Sequence, residues 1–290
     1  MNTAAEALLA EAQAVLNGAA PGRLSAEGDL RVGVDLGTAK MVLLVLDEGG
    51  RPLAGRLWPS QVVRDGLVVD FIGAVDRLRQ MKAEVEAELE RALPAAVSGY
   101  PPGVPAPERQ AIAHVVQSAG MDCLDLIDEP SAANHVLGIS DGAIVDVGGG
   151  TTGIAIIEGG QVVHSADEAT GGTHFNLVIA GALDLTYEQA ERLKETPGEQ
   201  ARLLGVVRPV MEKIGTIVNR HLAGWSVGRL HLVGGACAFP GMAEVISEVT
   251  GLPASVAPDP QLVTPLGLAL GRPLAAGPSL LEAVADWSRS

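Results

Sequence analysis

The 290-residue chain is poor in sulfur and in aromatic rings. Its two cysteines, Cys123 and Cys237, stand far apart, which excludes a disulfide framework, a CxxC pair and a thiolate zinc site, and fits a reducing cytosol. The six histidines have no metal-ligand spacing; His114, His135 and His221 read as helix-surface residues. Aromatics make up 3% of the chain, so a core must come from Val, Leu, Ile and Ala, and the hydrophobic share of 47% is ample for that. Positive charge is also scarce. Lys and Arg number 20 against 35 Asp and Glu, and a net charge of −15 argues against nucleic acid or an anionic membrane as a partner. Glu6 and Glu11 replace the basic start that a signal peptide needs. No uninterrupted apolar run reaches ~18 residues, so no membrane span is expected.

One short pattern occurs twice. RVGVDLGTAKMVLLVLDEGG (Arg31–Gly50) and GAIVDVGGGTTGIAIIEGG (Gly142–Gly160) each carry an apolar run ending in Asp, a Gly/Thr turn, and a second apolar run closed by Gly-Gly. This reads as a duplicated strand–loop–strand unit. Glycines in such a turn leave backbone N–H groups bare, and consecutive N–H groups form an anion nest. Two such turns face to face can hold a polyphosphate, with Thr38 and Thr151 adding hydroxyls. Asp35 and Asp146, at matching strand ends, then suit a Mg²⁺ held mainly through its waters.

Around these units the pattern is strands and helices in alternation, twice over, which predicts an α/β protein of two similar lobes. Residues 2–17 read as an amphipathic helix capped by Thr3 and Glu6, with Leu8, Ala12, Val15 and Leu16 on one face. It could dock on the main body or bind a partner. A linker follows at Ala19–Gly28, and turns are expected at Asp47–Gly50 and Asp65-Gly66. Further helices are expected at Phe71–Leu93, Pro107–Ala119, Pro130–Leu137, Phe175–Ala182, Tyr187–Lys194, Val206–His221, Met242–Val249 and Leu266–Leu270. The domain division is 1–29 for the helix and linker, 30–140 joined by 260–290 for the first lobe, and 141–259 for the second.

Gly148 to Gly153 matches GxGxxG literally, but a dinucleotide fingerprint must open a helix, and Ile154–Ile157 continues as a strand. No GxxxxGK[ST] is present. Glu129 sits at a strand end before Pro130 and could orient a water for attack on a terminal phosphate. Leu232–Gly235 is a strand running into Gly-Gly, suited to bringing backbone against a flat base or ribose.

Together these segments resemble the actin/heat-shock-70/hexokinase ATPase superfamily. GVDLGT (Gly33–Thr38) is similar to its first phosphate loop and DVGGGTTG (Asp146–Gly153) to its second. EPSAA (Glu129–Ala133) and PLGLALG (Pro265–Gly271) are similar to its two connecting helices, and LVGG (Leu232–Gly235) to its adenosine motif. The resemblance implies two ribonuclease-H-like lobes with ATP and Mg²⁺ in the cleft between them. It implies Asp35 and Asp146 as the Mg²⁺-site acids and Glu129 as the water-positioning residue. It implies phosphate contacts from Gly37, Thr38, Gly148, Gly149, Gly150 and Thr151, with Gly171 and Gly172 nearby. Gly234 and Gly235 would meet base or ribose, and Glu212 and Lys213 would reach the adenosine.

VVRDGLVVDF, SADEATGG and RPVMEKIGTIVNRHL more narrowly resemble the ethanolamine-utilisation J-type family, which is chaperone-like and encoded with bacterial microcompartment genes. That implies a cytoplasmic ATP-binding, slowly hydrolysing factor for assembly or maintenance of a microcompartment or its enzymes, with shell or enzyme proteins as partners. A nucleotide-bound scaffold without turnover, or an actin-like polymerising protein, is the alternative; a small-molecule kinase lacks a candidate base. The chain departs from heat-shock-70 at Gly153, where that family has an acid, and it offers no match for that family's first-lobe catalytic Lys. Only Thr186–Val207 stands where relatives insert a whole second-lobe subdomain, which implies an open adenine pocket. The segment after Gly271 is too short for a peptide-binding domain, so chaperone action would use the lobes, the first helix or the tail.

Overall fold

Alternating apolar runs pair into two sheets of the same design. The computed structural model describes residues 3–18, 28–64 and 67–271. The expected linker up to residue 27, the Asp65-Gly66 turn, the Thr3 cap and the tail after Gly271 lie outside the described residues and side chains. The first half runs α1 (Thr3–Ala14), β1 (Arg31–Leu36), β2 (Lys40–Leu46), β3 (Pro52–Pro59), a small hairpin of β4 (Val63–Arg64) and β5 (Leu67–Val68), α2 (Phe71–Leu89), β6 (Ala95–Tyr100), α3 (Ala106–Ser118), β7 (Asp122–Asp128) and α4 (Glu129–Leu137). The second half runs β8 (Gly142–Val147), β9 (Thr152–Glu158), β10 (Gln161–Glu168), α5 (Gly172–Leu183), α6 (Tyr187–Glu195), α7 (Gln200–Leu222), β11 (Leu230–Val233), α8 (Met242–Thr250), β12 (Ala254–Val256) and α9 (Val263–Leu270). One sheet has the order β3-β2-β1-β6-β7 and the other β10-β9-β8-β11-β12. In each, the first three strands form an antiparallel meander, and the last two run parallel to its first strand. The repeated motif is thus a repeated topology.

Three apolar layers follow. One joins the first sheet to α2 and α3 through residues such as Val34, Leu43, Leu78 and Val116. A second joins the other sheet to α5, α7 and α8. The third lies between the sheets, where Val136 of α4 and Leu266 of α9 meet Leu44 of β2 and Ile144 of β8. The two helices of this middle layer touch backbone to backbone. A Cβ placed on Gly267 would lie 1.7 Å from the carbonyl oxygen of Ala132. Gly33 does the same for the α9–β1 contact, since its Cβ would fall 2.6 Å from the Pro265 carbonyl.

Several expected boundaries shift. The helix from Phe71 ends at Leu89, because Glu90 turns left-handed at φ 51°, yet Leu93 stays buried. The helix expected from Val206 begins at Gln200 and runs through Pro209. Leu203, Val207, Val210 and Ile214 lie buried along it, so tertiary packing outweighs the hydrogen bond that proline forfeits. The N-terminal helix docks: Ala5, Leu9, Ala12, Val15 and Leu16 are buried in the middle layer, and Leu8, expected on that face, is only half-buried. Asn17 then pairs with the outer strand, its N–H donating to the Gly55 carbonyl (2.9 Å) and its Oδ1 accepting from Leu57 N–H (3.1 Å). Among the described residues no helix is long and apolar enough to cross a membrane.

Gly267→Ala should lower the melting temperature markedly, since overpacking of this kind costs about 1–3 kcal/mol. Gly181→Ala on α5, whose Cβ meets nothing within 4 Å, is the matched control and should be neutral or stabilising by up to about 1 kcal/mol. Equal melting shifts in the two variants would contradict the close helix contact.

Candidate functional site

The β1–β2 turn and the β8–β9 turn meet across a cleft between the two halves. A Cβ on Gly149 would lie 2.6 Å from Ala39 Cβ, and one on Gly150 would lie 3.0 Å from Thr38 Oγ1. Glycine at these positions is what lets the turns come together. The second turn is closed by Gly148 N–H donating to the Thr151 carbonyl (3.0 Å). Its outward carbonyls hold the start of α5: Gly148 O accepts from Gly172 N–H (2.9 Å), and Gly149 O accepts from the N–H and the hydroxyl of Thr173 (both 2.7 Å). Gly171 packs behind, since its Cβ would lie 2.7 Å from Gly148 O, so it braces the turn and does not face the cleft.

Three acids converge below the turns. Asp35 is the penultimate residue of β1, Asp146 that of β8, and Glu129 opens α4, where Asp128 accepts from Ser131 N–H (3.0 Å) to cap the helix. Asp35 and Glu129 keep a narrow exposure to the cleft but lie deep among protein atoms. Burial first, then the nearby Asp146 charge, pushes Asp35 up to about 7 from 3.8. Burial pushes Asp146 up to about 6, opposed by the Thr264 hydroxyl that donates to its Oδ2 (2.9 Å). Glu129 rises well above the ordinary carboxylate range through burial, then through the charges of Asp35, Asp146, Asp167 and Asp128. Gly234 packs against this group at φ 88°, and a Cβ there would lie 2.2 Å from Asp146 Oδ1, so only glycine fits.

The cleft opens as a cavity of ≈ 840 Å³. Asp35, Gly37, Thr38, Glu129 and Asp146 line it, as do Gly148, Gly149, Gly150, Thr151, Gly172, Gly234 and Gly235. Of the residues anticipated from sequence, Glu212 and Lys213 are not brought there. Glu212 lies on an exposed face of α7, paired with Arg208 (2.8 Å), and Lys213 does not line the cavity. The lining instead includes Tyr187, Glu191 and Lys194 of the short helix α6, with Lys40 and Gln261 nearer the turns. Lys194 is mostly buried, and its ammonium is pushed below the ordinary lysine value first by burial. Its signal was the spacing of Glu191 and Lys194 on one face of α6; for Thr264 there was only its place before the PLGLALG segment. A volume of this size, lined by bare Gly/Thr turns, buried acids and two lysines, is large enough for a nucleotide-sized ligand.

Raised carboxylate pKa values destabilise the ionised, folded protein. The contribution of Asp35 is fully present below about pH 4 and is lost as pH rises through about 7. In metal-free protein, Asp35→Asn should therefore gain melting temperature relative to wild type between pH 5 and pH 8. Parallel melting curves over that range would show that Asp35 is not under this constraint.

With the geometry in place, likeness to known proteins is specific. A family model described as MreB/Mbl protein matches residues 59–202, and one described as cell division protein FtsA matches residues 143–269. The chain is 40% identical over 244 residues to ethanolamine utilization protein EutJ of Escherichia coli K12, covering 84% of this chain and 86% of the relative. It superposes on the crystal structure of EutJ from Carboxydothermus hydrogenoformans with a TM-score of 0.87 and 42% identity, over 92% of this chain and 98% of that one. MreB5 of Spiroplasma citri bound to AMPPNP superposes with a TM-score of 0.69 at 18% identity, over 91% and 98% of the two chains, and shares the fold. The two sheets and their cleft are the ribonuclease-H-like lobes of the actin-like ATPase fold, and the chain belongs to the EutJ family of ethanolamine utilization proteins.

Proposed function

We propose that this protein binds ATP with Mg²⁺ in the cleft, hydrolyses it slowly, and uses lobe closure to assist assembly or maintenance of an ethanolamine-utilisation microcompartment or its enzymes. In this reading the lobes are 30–140 with 260–290 and 141–259. The observation that carries it is that Asp35, Glu129 and Asp146 line one cleft between two Gly/Thr turns, where burial first of all makes each resist ionisation. Such a site favours a cation, and the turns beside it favour phosphate oxygens.

The acids fit Mg²⁺. Asp35 and Asp146 are hard oxygen donors that line the same cleft. This suits an ion that keeps most of its water. Asp35 and Asp146 would hold it through those waters, and it would supply charge to the β- and γ-phosphates. The turns at Gly37–Thr38 and Gly148–Thr151 would orient the phosphates through backbone N–H groups and hydroxyls. Gly234, Gly235, Glu191 and Lys194 would meet the nucleoside. Glu129, at the head of α4, would hold the attacking water and take its proton once a cation has offset the surrounding negative charge. The relatives named for ethanolamine utilization, with MreB5 bound to AMPPNP, support both the setting and the ligand.

Titration calorimetry with ATP and Mg²⁺, followed by phosphate release from the same sample, tests the reading. Asp146→Ala should abolish Mg²⁺-dependent binding; unchanged affinity would remove Asp146 from the site. Glu129→Gln should keep binding and lower phosphate release by roughly 10²–10⁴-fold, the range of general-base catalysis. Binding without any release by wild type would make the protein a nucleotide-stabilised scaffold.

A further inference from the structure

The cleft has two lysines among the described residues that line it, and one of them joins three elements. Lys40 directly follows the first turn, at the start of β2. Its Nζ donates to Gln261 Oε1 (3.3 Å) and lies 3.5 Å from Glu195 Oε1 at the end of α6. Gln261 belongs to the short 3-10 turn Pro260–Leu262, and the Pro260 carbonyl accepts from Gly234 N–H (2.9 Å). One ammonium therefore ties the first phosphate turn to the Gly234–Gly235 turn and to the outer helix of the second lobe. The second lysine, Lys194, stands beside Glu195 and within electrostatic reach of Lys40.

The Lys40–Glu195 pair is built to be broken. Its side chains are 36% and 53% exposed, and exposed pairs of this kind add little to stability. A polyphosphate held by the two turns carries more negative charge than one carboxylate and would compete for the same ammonium. Its other partner, Gln261, is neutral, so exchange need not break the tie to the 3-10 turn. We propose that Lys40 is a specificity residue that Glu195 and the distal phosphates of the nucleotide contend for, so that it favours ATP over AMP and releases α6 when the triphosphate binds. The inference rests on the nucleotide reading of the cleft.

The experiment is a double-mutant cycle read by titration with ATP and with AMP, each with Mg²⁺. Lys40→Ala should weaken ATP roughly tenfold or more, as for loss of a charged hydrogen bond, and leave AMP within about twofold. Glu195→Gln should act in the opposite direction and tighten ATP by removing the competitor. In the Lys40→Ala background, Glu195→Gln should have no effect. Loss of ATP and AMP affinity in equal measure, weakening of ATP by both single variants, or an undiminished gain from Glu195→Gln in the absence of Lys40 would each overturn the inference while leaving the nucleotide site intact. Failure of wild type to bind ATP at all would overturn the nucleotide reading and this inference together.

Discussion

The rest of the structure depends on the crossing of α4 and α9. Two sheets of identical topology can share one molecule only if something between them has two apolar faces, and this helix pair supplies it. The pair can be thin enough only if the backbones touch, and Gly267 against Ala132 is where they do. That contact also aims the chemistry. Glu129 is the first residue of α4, and Thr264 lies in the first turn of α9. Both helices therefore deliver polar groups at their N-termini to the floor of the cleft, and the Thr264–Asp146 hydrogen bond joins α9 to the other sheet there. A small rotation about the crossing would be felt at once by the acids and by the turns above them.

The acids are held against their own repulsion. Asp35 and Asp146 come from equivalent strand ends, so the duplicated topology brings two like charges together by symmetry. Burial raises both pKa values, the Asp146 charge raises that of Asp35 further, and glycine at position 234 leaves no space between Asp146 and the following turn. This arrangement costs stability that the three apolar layers must offset, a common trade at functional sites. The Gly/Thr turns are spared that cost, because glycine fits where any side chain would clash.

Around this floor the second lobe is economical. A nine-residue α6 forms the outer wall of the cleft, and Lys40 and Glu195 link it to the opposite lobe by contacts exposed to water. The N-terminal helix works from behind. Leu9 and Leu16 share an apolar layer with Leu262, the last residue of the 3-10 turn whose Gln261 reaches Lys40. The docked helix, the 3-10 turn and the cleft lysine are therefore connected through neighbouring residues.

Much of this was legible in the sequence because it is local. A strand running into Gly-Thr or Gly-Gly-Gly-Thr and out again specifies its own turn, and repetition of that pattern 111 residues apart, from Asp35 to Asp146, implied matching lobes with their acids at matching places. The connecting helices were readable from the likeness of the EPSAA and PLGLALG segments to those of the family. Other features had no local signature. Glu212 and Lys213 were placed near the ligand by resemblance alone, and helical periodicity does not say what a polar face looks toward; here Glu212 pairs with Arg208 one turn earlier on α7. Thr264, Gln261, Glu195 and Lys40 are ordinary polar residues whose partners lie far along the chain, up to 221 residues away for Lys40 and Gln261. Whether the N-terminal helix docked or waited for a partner depended on an apolar groove that no single segment encodes. Amino-acid pattern determined the turns, the succession of strands and helices and the positions of the acids, since backbone conformation and hydrophobic period act over a few residues. Tertiary structure alone decided which polar groups meet in the cleft, because those contacts exist only after α4 and α9 have brought the two sheets face to face.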